Sequence, residues 1–102
     1  MVKIYNDGKR ITAALSGDLD HHAAREVRTE LDDVIARSRP ELLILDMENV
    51  GFMDSSGIGL ILGRSRAVHA VGGELLVKNA RREIAEVIRI SGLGSVIATQ
   101  MV

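Results

Sequence analysis

The feature that most constrains this chain is the unbroken aliphatic run Leu42–Leu45, which closes on Asp46 and is flanked on both sides by segments of helical period. A short apolar run of this kind suits a strand covered on both faces, the usual state of a central parallel strand. Before it, Ala24, Val27, Leu31, Val34 and Ile35 recur at helical spacing, while Arg25, Glu26, Arg28, Glu30, Asp32 and Arg37 fill the opposite face. The spacing predicts an amphipathic helix over about Ala23–Arg37, with Asp20 or His21 at its start and Pro40 preventing continuation. After the run, a helix is predicted from near Ser55, following a loop over Glu48–Asp54, with Ile58, Ile61, Leu62 and Val68 as its apolar stripe. Gly59 and Gly63 leave a bare strip on that helix, and Gly72-Gly73 ends it.

The ends complete the pattern. Val2 and Ile4, then Ile11, Ala13 and Leu15, alternate with period two around the turn signal Asn6-Asp7-Gly8-Lys9, which predicts a hairpin. Glu74–Lys78 reads as a short strand, Arg81–Ser91 as a third helix with Ile84, Val87 and Ile88 inward, and Val96–Thr99 as a last strand. The order β-β-α-β-α-β-α-β defines an α/β domain: a mostly parallel sheet of four to five strands, an antiparallel N-terminal hairpin strand and at least three helices. At 102 residues, with no repeat or internal linker, residues 1–102 form one domain.

Composition narrows the function classes. Thirteen Lys and Arg against fourteen Asp and Glu give a net charge of −1, which offers no basic excess for a nucleic acid backbone. Phe52 and Tyr5 are the only aromatic side chains, too few for a base-stacking platform. With no cysteine there is no disulfide, thiolate nucleophile or Cys-ligated zinc. No window approaches the roughly 20 apolar residues of a membrane helix and no signal peptide is evident, so a cytoplasmic protein is expected. A monomer is expected as well, because no large apolar patch remains unassigned, although Ile58 and Leu60 are candidates for exposure.

In parallel α/β sheets, ligands and partners meet the rim formed by loops leaving the C-terminal ends of strands. Two such loops carry chemistry: Gly17-Asp18-Leu19-Asp20-His21-His22 and Phe52-Met53-Asp54-Ser55-Ser56-Gly57-Ile58-Gly59. If their strands are neighbours, Asp20 and Ser55 share one surface. Helix capping by Asp20 and by Asp54 or Ser55 is the plain explanation of both. Gly57, Gly59 and Gly63 lack the dinucleotide spacing, and no Gly-Lys-Ser/Thr follows, which argues against a phosphate cradle. Ser55 or Ser56 beside His21 or His22 could serve a hydrolase, yet there is no Gly-x-Ser-x-Gly elbow. Asp18, Asp20, His21 and His22 are too close in sequence to converge on one metal ion, so no metal site is expected. His69 reads as a surface residue.

These two segments, with Gly72-Gly73-Glu74-Leu75 and Ser91-Gly92-Leu93, resemble the anti-anti-sigma factors of the STAS family. The likeness is greatest to the sporulation branch, which opposes the anti-sigma factor of the forespore sigma. It spans nearly the whole chain, and Asp54-Ser55-Ser56-Gly57 is its most specific part. The resemblance implies a non-enzymatic switch with no cofactor of its own. Unphosphorylated, such a protein binds an anti-sigma factor that is also a serine kinase, together with its nucleotide, and frees the sigma factor. Phosphorylation of the serine after the motif aspartate, here Ser55, abolishes binding until a PP2C-type phosphatase reverses it. Carried over by position, the contact surface comprises Asp20, His21, Asp54 and Ser56, with Gly57, Gly59 and Arg64 further along the helix. A stressosome scaffold or the regulatory domain of an anion transporter is the alternative within the same family. Many members carry a further helix after the last strand, and the sequence stops at Val102, so a short member or a truncated chain is expected.

Overall fold

A computed structural model describes residues 1–93 and the backbone of residues 98–100. In chain order the elements are β1 (Val2–Asp7), β2 (Arg10–Leu19), α1 (His21–Ser38), β3 (Leu42–Met53), α2 (Ser55–Ala70), β4 (Glu74–Lys78), α3 (Arg82–Ile90) and β5 (Ala98–Gln100). Of the predicted last strand, Val96 and Ile97 lie outside the described residues. The five strands form one sheet in the order β1-β2-β3-β4-β5, with β1 antiparallel to β2 and every other pair parallel.

The chain therefore steps across the sheet in one direction, each helix joining neighbouring parallel strands. Crossovers of one hand then lay every helix on the same face. All three helices indeed contribute to a single core with that face: Val27 and Leu31 of α1, Ile61 and Val68 of α2, and Ile84 and Ile88 of α3 meet Ile11, Leu15, Leu43, Leu45 and Val77. This corrects the expectation that Leu42–Leu45 is covered on both faces. β3 is central and parallel, but on the face away from the helices only Ile44 is buried, between Thr12 and Leu76, while Leu42 and Asp46 are half-exposed.

The predicted inward face of α1 is the observed one, Ala24, Val27, Leu31, Val34 and Ile35 all being buried. Two other stripes differ. The buried side of α2 runs through Gly57, Leu60, Ile61, Arg64, Ser65 and Val68, leaving Ile58 and Leu62 half-buried. On α3, Ala85 takes the inward place expected of Val87, which is 40% exposed. The two rim loops are also shorter than predicted. β2 runs on to Leu19 and β3 to Met53, paired through Ser16↔Asn49, Gly17↔Val50, Asp18↔Phe52 and Leu19↔Met53, with register shifts on either side of Gly17. Gly17 has φ 89°, a conformation that costs glycine little, and the shifts break the period-two signal.

Candidate functional site

Extension of β2 and β3 fixes the site. Leu19 and Met53 are register partners on adjacent parallel strands, and the Asp54 amide donates to the Leu19 carbonyl at 3.4 Å. The next residues of each strand, Asp20 and Asp54, both leave the sheet in extended backbone and begin helices. Asp20 Oδ1 accepts from the Ala23 amide at 2.9 Å, and Asp54 Oδ1 accepts from the Ser56 amide at 2.8 Å. Each carboxylate satisfies an otherwise unpaired first-turn N–H and faces the positive end of its helix dipole.

Ser55 is the first residue of α2, exposed, and its side chain makes no hydrogen bond among the described residues. Ser56 is half-buried. Capping thus falls to Asp54, and the Ser55 hydroxyl is left to solvent. His21 and His22 are exposed at the start of α1, His22 lying 3.7 Å from Glu26. No group of three or more His, Asp or Glu side chains among the described residues is arranged to hold a metal ion.

The glycines of α2 serve different ends. A Cβ on buried Gly57 would collide with the Met53 side chain, so this glycine lets the first turn of α2 sit directly on the end of β3. Gly59 and Gly63 would place a Cβ in open space, with nothing within 4 Å. The fold does not require either of them.

Arg64 is only 7% exposed and sits where α2 meets α1. Its Nε lies 3.0 Å from Asp32 Oδ1, but off the N–H axis, so the ion pair forms without a hydrogen bond. Burial lowers the Arg64 pKa, attraction to Asp32 opposes that, and Arg28 adds a smaller downward push. Nothing in the sequence marked Arg64 as buried, since its partner Asp32 lies thirty-two positions away on another helix.

A five-stranded sheet, parallel but for β1 and carrying its helices on one face, is the fold of a STAS-type domain. The chain belongs to the STAS domain family, which it matches over residues 3–101. It is 42% identical over 79 residues to the anti-sigma F factor antagonist of Paenibacillus polymyxa, covering 78% of this chain and 68% of that protein. The anti-sigma F factor antagonist of Lysinibacillus sphaericus is 38% identical over 84 residues, covering 82% and 72%. Among solved structures, the anti-sigma factor antagonist SpoIIAA in its unphosphorylated form superposes with a TM-score of 0.86 at 31% identity, covering 99% of this chain and 89% of that one. Its phosphorylated form, from Bacillus, gives a TM-score of 0.78 at 31% identity over 99% and 92%.

Proposed function

We propose that this chain is a cytoplasmic anti-sigma factor antagonist switched by phosphorylation of Ser55. The unphosphorylated protein binds an anti-sigma factor that is also a serine kinase, in complex with its nucleotide, and thereby releases the sigma factor. Phosphate on Ser55 ends that binding, and a PP2C-type phosphatase restores it. The observation that carries this reading is the exposed, unbonded Ser55 hydroxyl at the first residue of α2, beside the Asp54 cap and next to the end of β2. Relatives named as anti-sigma F factor antagonists, and a neighbour solved in unphosphorylated and phosphorylated forms, support it.

The physics of the position suits a switch. A phosphate adds about −1.5 to −2 charges, and the N-terminal dipole of α2 can accept it without disturbing the core. At an interface the same group adds bulk, a desolvation cost and repulsion toward the neighbouring Asp54 and Asp20 carboxylates. The contact surface comprises Asp20, His21, Asp54, Ser56 and Gly59, whereas Gly57 and Arg64, expected on it from the resemblance, are buried and support it from beneath. Incubation with the anti-sigma factor and ATP, followed by localisation of phosphate by mass spectrometry, tests the reading.

A further inference from the structure

Behind the Ser55 rim, α1 and α2 border a groove of about 520 Å³ lined from His21 and Ser56 to Arg64. Its two walls are regular. On α1, His21, Arg25 and Arg28 follow one another along one stripe, and on α2 Ser56, Gly59 and Gly63 do the same. Two observations of charge point to an anionic occupant. Arg25 and Arg28 are exposed on the groove, and Arg25 has no ion-pair partner among the described residues. Arg28 shares the single carboxylate of Asp32 with Arg64, at 3.7 Å against 3.0 Å, so the cations outnumber the acid. Arg64 lines the floor, more than nine-tenths buried, and its Nε draws on that same Asp32 carboxylate.

The α2 wall adds shape to charge. Gly59 and Gly63 weaken the interior of a helix, and no side chain of the chain occupies the space a Cβ would take. Bare backbone there admits a chain segment that larger residues would keep out. The volume suits a few side chains rather than a whole domain.

We propose that this groove receives an acidic segment of the anti-sigma factor, whose carboxylates meet Arg25 and Arg28 over the bare α2 backbone at Gly59 and Gly63. The inference rests on the proposed function and extends it, because Ser56, the neighbour of Ser55, lines the groove and a single partner can cover both. Charge complementarity at such a surface gives specificity and salt-sensitive association.

The test is isothermal titration of the anti-sigma factor from the same organism, with ADP present so that Ser55 stays unmodified, into wild type, Arg25→Glu, the double variant Arg25→Glu/Arg28→Glu, and the double variant Arg25→Lys/Arg28→Lys. Thermal unfolding of each variant within a few degrees of wild type establishes that the fold is kept. The expected result is a loss of at least about tenfold in affinity for the double reversal, a smaller loss for Arg25→Glu, near-retention with lysines, and a flatter salt dependence in the reversals. Binding by wild type and double reversal with equal affinity overturns the groove while leaving the proposed function standing. No binding by wild type overturns both. ATP or inorganic phosphate is titrated alone as a second arm. Saturable binding that the reversal abolishes, with partner affinity unchanged, assigns the groove to a small anion and also overturns the proposal.

Discussion

Leu19 and Asp54 are joined by a hydrogen bond from the Asp54 amide to the Leu19 carbonyl, 3.4 Å long, across the ends of two parallel strands. That one contact sets Asp20 and Asp54 at adjacent strand ends, although thirty-four positions separate them in sequence and each caps a different helix. The rim is built on the paired ends of β2 and β3 and Ser55 stands exposed on it, so changes at Ser55 alter surface rather than core.

The caps should carry measurable stability. Asp54→Ala removes the acceptor for the Ser56 amide and is expected to cost about 1 kcal/mol, seen as a fall of roughly 4–8 °C in thermal unfolding. Asp54→Asn and Asp54→Ser keep an acceptor and should recover most of it. Asp20→Ala should behave alike through the lost Ala23 contact.

The glycines of α2 should separate by role. Gly57→Ala drives a methyl into Met53 and is expected to destabilise by about 1–3 kcal/mol. Gly59→Ala and Gly63→Ala meet open space and should stabilise by about 0.5–1 kcal/mol in chemical denaturation. The same two alanines should weaken association with the anti-sigma factor, and unchanged affinity would show that the bare strip serves no contact.

Asp32→Ala leaves the buried Arg64 guanidinium without its counter-charge and should destabilise by about 1–3 kcal/mol. Asp33→Ala, which removes an exposed pair with Arg37, should change stability by less than about 0.5 kcal/mol. Urea unfolding of the two variants side by side checks the contrast.

Much of this architecture was legible because its signals are local. The face of α1 was readable residue by residue, since five aliphatics at helical spacing leave one way to bury them. The caps were readable only as alternatives, Asp20 or His21 and Asp54 or Ser55, and the structure selects the two aspartates. What escaped depends on contacts between distant elements. The continuation of β2 through Asp18 and of β3 through Phe52 was hidden because register shifts around Gly17 break the alternation. The buried stripe of α2 was placed in part, Ile61 and Val68 correctly, but Gly57 and Arg64 also lie on it, and they are buried against Met53 and beside Asp32 of α1 rather than by their own hydrophobicity. Coverage of β3 on one face follows from strand order, which no single segment encodes.

The central claim is that Ser55 is the switch. The most direct measurement mixes the protein with the anti-sigma factor of the same organism and ATP, maps phosphate by mass spectrometry in wild type, Ser55→Ala and Ser56→Ala, and follows the complex by size exclusion. Phosphate on Ser55 in wild type and Ser56→Ala, none on Ser55→Ala, and loss of the complex only where Ser55 is modified is the predicted result. Phosphate on Ser56, or a complex that survives full modification of Ser55, contradicts it.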